Sequence, residues 1–507
     1  MPHLFHRLLP MLWIALHFPQ LPLDAQLRCR FESASGQPDP LACIPIAISD
    51  NKRIGWCNTH AEEAGIQIGM SESNAHALAR QLQLLPRDLH AETRALQEAG
   101  LWSLHFTPHV VLRPAGLLME VSASLRLFNG ASSIASQLLT GCAELGLHVR
   151  LASATTATGA WLRAQCNALA NVFEPDLHQA LDPLPVAVLE SVQPYLDTLD
   201  GISCHTIGQL RRLPRGGLTR RLDRAVLREL DRAYGEEAEA HAWFEAPVSF
   251  DARIELAARV ENTEALLFAA RRMLMQMTGW LTARHAAALG ITLELHHESS
   301  RRRDHRSTSL AIVLGMPSRD LDHLTLLLRE RLAQLELPAP VIELTLQTDQ
   351  IVLQAAPNTE LFPTPASDAE NTGRLIERLQ SRLGTAAVRQ LTMIDDHRPE
   401  KSSATPIVTG TCNKRFRDAI PRETVRPTWL LPQPLPLATR QHKPVYQGIL
   451  TLLTGPERIE AGWWDDALAT RDYFVAQNKQ HQLLWIYRLR TLHEDTGSAW
   501  FLHGFFG

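Results

Sequence analysis

Residues 250 to 350 alternate strand-type and helix-type patterns in a β-α-β-β-α-β order, and this order strongly limits the folds open to the chain. The predicted elements are a strand at Ser249 to Leu256, a helix at Thr263 to Arg284, a hairpin pairing Gly290 to His296 with Ser307 to Val313, a helix at Arg319 to Leu335 and a strand at Val341 to Gln347. Because each helix connects strands of the same sheet, the pattern predicts a small sheet with both helices on one face.

The remaining segments differ in rhythm, so the chain is predicted to fold as several domains. With 507 residues it is too long for a single core. An apolar run at Leu12 to His17, with further strands at Val110 to Leu112 and Leu117 to Val121, predicts a mixed α/β domain. Residues 172 to 245 are predicted to be mainly helical. The tail from Pro444 carries short apolar-aromatic strands and is predicted to form a β-meander.

Composition indicates a globular protein without a strong overall charge. Hydrophobic residues make up 45% of the chain, charged residues 21%, and the formal net charge is -4. Any contact with nucleic acid must therefore come from local basic patches. The seven cysteines form no CxxC pair, and no cleavage motif follows the apolar N-terminal run. We therefore expect a reduced, cytoplasmic protein with no membrane partner.

Several short strings, in a fixed order along the chain, carry a resemblance to a known family. They are Leu12 to Asp24, Gly65 to Met70, Phe106 to Pro108, Leu117 to Val121, Leu199 to Ile202 with Thr206 to Gly208, Pro456 to Trp464, Arg471 to Val475 and Trp500 to Gly504. Each string is short, but together they resemble the ImuB family, the catalytically inactive Y-family (UmuC/DinB-like) DNA polymerase homologues of bacterial mutagenesis cassettes. The match runs from about residue 11 to the end of the chain.

The resemblance implies a multidomain α/β and α+β fold, namely the Y-family polymerase hand of palm, fingers, thumb and little finger, plus a C-terminal extension. The expected domains are palm and fingers at 11–170, a helical thumb with a helix-hairpin-helix-like element at 171–245, a little finger at 250–350, a linker at 351–372 and a C-terminal partner-binding region at 373–507. The β-α-β-β-α-β order, obtained from the pattern alone, is the topology implied for the little finger. Residues 400 to 440 are rich in proline and are expected to be irregular.

Active members of the wider Y family of polymerases hold two Mg²⁺ ions with carboxylates from an Asp-x-Asp and an Asp-Glu pair. By the resemblance, these catalytic positions are degenerate here and fall on His17, Pro19, Ala115 and Gly116. None of these side chains is a carboxylate, so we expect a protein without polymerase activity and without a metal or other cofactor. His17 is expected to be a hydrogen-bonded strand histidine, Glu120 remains nearby, and Asp24 is expected to be solvated.

The contacts to a nucleoside triphosphate are also expected to be missing. By the resemblance, the Tyr and Arg of the fingers fall on Thr59 and Glu62, and the Lys before a later helix falls on Ala157. A carboxylate would repel the triphosphate that an arginine binds in a bidentate contact. Two other interpretations stay open, an active Y-family translesion DNA polymerase and an unrelated enzyme that uses some of the 22 histidines.

Two basic segments are candidates for DNA binding. In the thumb, a stretch that resembles a helix-hairpin-helix element can offer backbone N–H groups to phosphates, with the candidate residues Gly201, Ile202, Gly208, Arg211 and Arg212. In the predicted hairpin loop of the little finger, the candidates are Arg301, Arg302 and Arg303. For both segments the alternative is a solvated charged surface without a ligand.

A linker segment is the candidate for binding the β sliding clamp. Residues 358 to 362 resemble the bacterial clamp-binding pentapeptide, with Asn358 in place of its first Gln and with Leu361 and Phe362 as the apolar pair. The alternative is that Phe362 packs back on its own domain. A weaker candidate is the segment Gln433 to Leu437.

Aromatic residues concentrate in the tail, where Trp463, Trp464 and Phe505 are examples. They fit either a surface for partner proteins or a small aromatic core. The resemblance implies two partners for this region, an ImuA-like RecA homologue and a replicative-type error-prone polymerase.

Overall fold

The structure is a computed structural model that describes residues 11–28, 44–166, 176–298, 307–348, 350–353, 365–408, 426–465, 467–490 and 499–507. The chain divides into two compact units, Met1–Thr364 and Pro365–Gly507. The predicted fold class, a multidomain α/β and α+β protein with a C-terminal extension, is confirmed. Over these described ranges, no helix has the length and hydropathy required to cross a membrane.

The first 166 residues form two sheets with their helices. Their elements are β1 (Trp13–His17), α1 (Leu21–Leu27), β2 (Ile46–Asp50), β3 (Arg53–Cys57), α2 (Thr59–Glu63), α3 (Glu72–Leu78), β4 (Gln83–Pro86), α4 (Leu89–Ser103), β5 (Val110–Arg113), β6 (Gly116–Glu120), α5 (Ala131–Glu144), β7 (Arg150–Ala154) and α6 (Ala157–Gln165). Strands β5, β6, β1 and β7 form an antiparallel sheet in that order, which we call the palm sheet, and β3, β2 and β4 form a smaller sheet.

Strand β1 is buried on both faces of the palm sheet. Ile14 and Leu16 pack into the core that α4 and α5 supply, whereas Trp13 and Ala15 pack against the alanines of α6. This double burial explains why Leu12 to His17 is continuously apolar instead of alternating with polar residues.

The predicted turn from Gly65 to Met70 follows helix α2 in the smaller, fingers-like part. Gly65 and Gly69 have φ values of 87° and 90°. Glycine enters this left-handed region without the steric penalty of a Cβ atom, so both positions favour glycine.

Short helices follow and share a core of their own. They are α7 (Leu177–Leu181), α8 (Leu196–Asp200), α9 (Ile207–Arg212), α10 (Arg215–Arg221) and α11 (Arg224–Tyr234). Their buried side chains, for example Leu181, Ile207 and Leu230, pack together and against Leu162 of α6. These helices therefore pack directly against α6, the helix that precedes them in the chain.

The segment predicted as β-α-β-β-α-β has that order. Its elements are β8 (Asp251–Val260), α12 (Thr263–Ala283), β9 (Ala286–His297), β10 (Ser307–Ser318), α13 (Leu321–Leu332), β11 (Val341–Gln347) and a short β12 (Ile351–Leu353). The strand order is β10-β9-β11-β8, and β12 adds to β9. Helix α12 also contacts the palm, since a Cβ at Gly279 would lie 2.0 Å from the Leu101 carbonyl oxygen. Glycine at this position allows the two helices to approach closely.

The second unit begins with a helix and ends with a six-stranded sheet. Its elements are α14 (Pro365–Leu383), β13 (Thr392–Met393), β14 (Ser403–Ala404), β15 (Trp429–Arg440), β16 (Lys443–Val445), β17 (Thr451–Ala461), β18 (Ala469–Gln477), β19 (Leu483–Leu489) and β20 (Trp500–Phe505). Consecutive strands β17 to β20 pair as a meander, as predicted, and β15 pairs with β20. The expectation that residues 400 to 440 are irregular is wrong for β15.

Candidate functional site

Four residues form one register row across the palm sheet, at the end where the resemblance places the catalytic carboxylates. Arg113 pairs with Gly116, Gly116 with His17, and His17 with Arg150. Residues that pair across antiparallel strands project from the same face of the sheet. The row therefore points to the face that α6 covers, where Trp161 lies against it.

His17 is a poor ligand for a hard divalent cation in this setting. Its Nδ1 atom is buried and has no hydrogen-bond partner among the described residues, so the expectation of a hydrogen-bonded histidine is wrong for this atom. Burial, and then the charge of Arg150, lowers the pKa of the His17 imidazole to about 4. The ring is consequently neutral near pH 7, whereas Mg²⁺ prefers oxygen ligands, especially carboxylates.

Gly116 lies where a side chain has no room. A Cβ atom at this position would be 2.0 Å from the Leu16 carbonyl oxygen and 3.0 Å from the Trp161 ring. The first of these neighbours is backbone, so it cannot rotate away as a side chain can. A glutamate at position 116 would therefore require β1 and β6 to move apart.

The other two degenerate positions contribute backbone rather than side-chain groups. The Pro19 carbonyl oxygen accepts a hydrogen bond from Trp56 Nε1 at 3.1 Å, and the Ala115 carbonyl oxygen accepts one from Phe18 N at 2.7 Å. Both carbonyls thus stabilise the turns around the sheet end. The residues present do not fit the two-metal site that the fold family implies.

The carboxylates that remain near this end of the sheet form hydrogen bonds with other groups of the protein. Asp24 is buried and accepts hydrogen bonds from His148 N at 2.8 Å and His148 Nδ1 at 2.7 Å, so the expectation that it is solvated is wrong. Glu120 pairs with Trp13, at the opposite end of β1 from His17, and accepts from Ser122 N at 3.0 Å. Across the described residues, no group of three or more His, Cys, Asp or Glu side chains is arranged to hold a metal ion.

The positions expected to bind a triphosphate have other local roles. Thr59 opens helix α2 directly after its cap, Asn58, whose side chain accepts from Ala61 N. Glu62 is exposed on that helix. Ala157 opens α6 and is buried against the palm sheet. None of these three side chains is a cation that could bind a phosphate.

Two arginines replace carboxylates as the charged groups of the row. The Arg113 guanidinium stacks over the Trp161 ring at 6.0 Å, and its Nε atom is buried without an acceptor in the described part of the chain. Arg150 Nη1 donates to the Gln165 carbonyl oxygen at 3.1 Å. The end of the palm sheet is therefore cationic, not anionic.

In the thumb, the structure brings two of the predicted DNA-binding residues together around Asp182. Gly208 N donates to the Asp182 carbonyl oxygen at 3.0 Å, and a Cβ at Gly208 would lie 2.8 Å from Asp182 Cβ. Arg211 binds the Asp182 carboxylate through Nε at 3.3 Å and Nη2 at 3.1 Å, and stacks over Tyr234. The close approach that Gly208 permits is therefore to Asp182 of the same chain.

The other thumb candidates differ in their exposure. The Gly201 amide donates to the Asp197 carbonyl oxygen at 3.1 Å, and Gly201 has helical backbone angles. Ile202 is exposed, and Arg212 has an exposed side chain 4.0 Å from Asp182. Arg212 is therefore the predicted cation that is best placed to meet a phosphate, and DNA binding by this element stays a prediction.

Two predicted sites lie outside the described residues. These are Arg301, Arg302 and Arg303 in the hairpin loop, and Asn358, Leu361 and Phe362 in the linker. The weaker clamp candidate, Gln433 to Leu437, lies within β15, where Leu435 pairs with Leu502 and Leu437 with Trp500 of β20. It is part of a sheet rather than a free peptide.

Sequence reasoning missed Arg113, Arg150 and Trp161. The signal in the sequence was position alone, because Arg113 comes just before the degenerate pair at 115 and 116. No element was predicted at Arg150. Their convergence depends on strand register, which the sequence pattern did not specify.

Comparison with known proteins agrees with the family resemblance. A family model described as the impB/mucB/samB family (IMS) matches residues 26–165. Two curated proteins, both called Protein ImuB and from two strains of Caulobacter vibrioides, are each 26% identical to this chain over 474 residues, which is 87% of this chain and 100% of the relative.

Two solved structures of Dbh also overlap with the chain. One is titled a Dbh ternary complex with partially disordered substrates and the other an insertion ternary complex of Dbh DNA polymerase. They have 14% and 13% identity and TM-scores of 0.34 and 0.36, and each overlap covers 68% of this chain and 100% of the other. The two sequence matches and the family model together support an ImuB-like relationship of this chain to the Y-family DNA polymerases.

Proposed function

We propose that this protein is a non-catalytic Y-family polymerase homologue that acts as a DNA-, sliding-clamp- and partner-binding scaffold in damage-induced mutagenic translesion synthesis and DNA repair. The observation that carries the proposal is the closed position at Gly116, where a Cβ would lie 2.0 Å from the Leu16 carbonyl oxygen. Two-metal nucleotidyl transfer needs clustered carboxylates. The four expected positions supply an imidazole, a proline, an alanine and a glycine instead.

Local cation clusters support the DNA-binding part of the proposal. Arg212, Arg220 and Arg221 are exposed on neighbouring thumb helices. Arg220 and Arg221 have no carboxylate partner within the described ranges, so their charges are available to a polyanion. With a net charge of only -4 on the chain, such patches can attract DNA backbone without a global field.

The position of the linker pentapeptide supports clamp binding. Residues 358 to 362 end two residues before the boundary between the compact units, at Thr364. By the resemblance, a pentapeptide of this type binds the clamp through its apolar pair, here Leu361 and Phe362. The competing segment Gln433 to Leu437 would have to leave its pairing with β20 to bind in the same way.

Exposed apolar side chains support a partner-binding role for the second unit. Leu375, Leu379 and Leu383 are exposed at four-residue intervals on α14, which places them along one stripe of the helix. Trp463 is 78% exposed in the loop between β17 and β18. Exposed stripes and tryptophans of this kind mark protein interfaces. We propose an ImuA-like RecA homologue and a replicative-type error-prone polymerase as partners, in the cytoplasm.

A primer-extension assay on the purified full chain tests the proposal. We expect binding to a primer–template duplex by fluorescence anisotropy, and no extension with the four deoxynucleotides and either Mg²⁺ or Mn²⁺. An active Y-family polymerase on the same DNA is the positive control. Extension by this chain would establish the second candidate, an active translesion polymerase, and loss of both binding and extension would reject the scaffold role.

A further inference from the structure

We propose that the register row at the end of the palm sheet binds DNA phosphates directly through Arg113 and Arg150, without a metal ion. This inference rests on the proposed DNA-binding function and specifies the ligand chemistry at one place within it. Active homologues are expected to hold divalent cations here with carboxylates. In this chain the same place carries positive charge on two strands and no carboxylate in the row.

The spacing of the row suits an extended polyanion. Arg113 and Arg150 lie on the two outer strands of the palm sheet, three strand spacings apart, which corresponds to about 14 Å. One DNA strand carries a phosphate about every 3.4 Å along the helix axis, so two arginines this far apart can contact different phosphates of the same strand. Gly116 and His17, the two residues between the arginines, carry no charge near pH 7.

Each arginine is held in place but is not neutralised. Arg113 is half-buried and stacked on Trp161, and Arg150 is half-buried and, among the residues described, donates to the neutral Gln165 carbonyl oxygen alone. Neither forms an ion pair with any carboxylate that the structure describes. A guanidinium stays protonated at every relevant pH and matches phosphate oxygens through two parallel N–H groups. Stacking and burial reduce the side-chain entropy that binding would otherwise cost.

A groove in front of Arg113 provides access. It has a volume of about 840 Å³ and is lined by Arg113 and Trp161 together with residues of α11. Helix α11 brings Arg224, Arg228 and Arg232 to the groove at four-residue intervals, so the three lie along one helix face. Cations from the palm sheet and from α11 thus line the same groove.

Carboxylates line the same groove and limit what it can bind. They are Glu190, Asp223, Glu229 and Glu239. Glu239 accepts from Thr158 N at 3.0 Å and Thr158 Oγ1 at 2.8 Å, and Asp223 caps α11. Long-range attraction into the groove is therefore weak. Recognition has to come from direct, bidentate arginine contacts, and Arg113 is the residue of the row that lines this groove, whereas Arg150 lies at the other end of the row.

The test compares a double variant with a charge-matched control in the full chain. Arg113→Gln/Arg150→Gln removes the two row cations, and Arg80→Gln/Arg440→Gln removes two exposed arginines elsewhere. Binding to a primer–template duplex is measured over a salt series in EDTA. We expect the slope of log K against log salt to fall by about 2 in the row variant. The control should keep the wild-type slope.

Three results would overturn the inference. An unchanged slope in the row variant, while the wild type binds DNA, rejects the row and leaves the scaffold proposal intact. Wild-type binding that disappears in EDTA at equal ionic strength rejects metal-free contact. If the wild type does not bind DNA at all, the scaffold proposal itself fails.

A second variant keeps the inference testable if the glutamine variant does not fold. Arg113→Lys/Arg150→Lys retains both charges but loses the planar fork. We expect weaker DNA binding with an unchanged salt slope. Equal affinity and slope to the wild type would exclude bidentate phosphate contacts at the row.

Discussion

The His17 imidazole and the Trp161 indole form a T-shaped contact, with ring centroids 5.5 Å apart and ring planes at 88°. Trp161 also reaches the glycine beside His17, since a Cβ at Gly116 would come within 3.0 Å of its ring. One aromatic side chain from α6 thus covers both sheet positions where active homologues are expected to carry carboxylates. The loss of acidic residues is accompanied by packing that closes the space they would need.

This packing predicts the effect of adding a single methyl group to the sheet. We expect Gly116→Ala to lower the free energy of unfolding by about 1–3 kcal/mol, because the added Cβ would overlap the Leu16 backbone. Urea unfolding followed by tryptophan fluorescence measures the change. The matched control is Gly217→Ala, where nothing lies within 4 Å and alanine favours the helix. Equal stability of the two variants would show that position 116 is open.

The same closure predicts that polymerase activity cannot be restored by replacing side chains alone. We expect His17→Asp/Gly116→Glu to remain inactive in primer extension with Mg²⁺, since a glutamate at 116 has no space beside the Leu16 carbonyl oxygen. Its folding is checked by the urea titration used for Gly116→Ala. Extension by a folded variant would mean that the sheet end can still accommodate a metal site.

The low pKa of His17 predicts a pH dependence of stability. The imidazole has a pKa of about 4 in the folded protein and about 6.5 when unfolded, so the unfolded chain binds more protons between these values. The stabilisation is therefore complete above about pH 6.5 and is lost as the pH falls toward 4. We expect His17→Leu to lose less stability than the wild type between pH 7 and 4.5. The matched control for the loss of one imidazole is His90→Leu, which replaces an exposed histidine.

The buried Asp24 side chain is hydrogen-bonded to His148, whose side chain is exposed. This pair fixes α1 to the loop before β7. The Asp24 carboxylate accepts from both the backbone and the ring of His148, and this hydrogen bond raises the pKa of the imidazole. We expect Asp24→Ala to lower the free energy of unfolding by about 1–3 kcal/mol, because the His148 amide loses its acceptor. The His148 ring contribution is present below the unfolded pKa and is lost as the pH rises through the folded pKa. His148→Ala should therefore destabilise the protein more at pH 6 than at pH 9.

Asp24 also shows how far sequence pattern predicts such a structure. Strand β1 and the order of elements from Asp251 to Gln347 could be predicted from the spacing of apolar residues. A face that is buried carries apolar residues at the repeat of its strand or helix. The partner of Asp24 could not be predicted, since His148 is 124 residues away and only the fold joins them. The register row is hidden for the same reason, because it requires the alignment of four strands.

The proline-rich strand β15 shows a second limit. Its prolines occupy every second position, at Pro432, Pro434 and Pro436, so the N–H groups that they lack lie on one side of the strand. The other side remains able to pair with β20, and β16 pairs only with the final residues, from Ala438 onward. Proline content alone indicated an irregular segment, whereas the alternation of the prolines is compatible with a strand near the sheet edge.

Neighbouring arginines in the thumb are predicted to have different roles. Arg211 is engaged by Asp182, whereas Arg212 is exposed. We expect Arg211→Gln to lower the melting temperature, because it leaves the Asp182 carboxylate without its bidentate partner. Arg212→Gln should leave the melting temperature unchanged and reduce the salt slope of DNA binding by about 1. The reverse pattern would show that Arg211 leaves Asp182 to bind DNA.

Clamp binding is predicted to depend on a short linker segment and not on the C-terminal sheet. We expect Leu361→Ala/Phe362→Ala to abolish retention of the full chain on immobilised β sliding clamp, since the adjacent apolar side chains of such peptides supply most of the binding energy. DNA affinity, measured by anisotropy, should not change. The matched control is Leu435→Ala, which removes an exposed leucine from the competing segment in β15. If the linker variant is retained and the β15 variant is not, the clamp contact belongs to the sheet, and β15 would have to separate from β20 when the clamp binds.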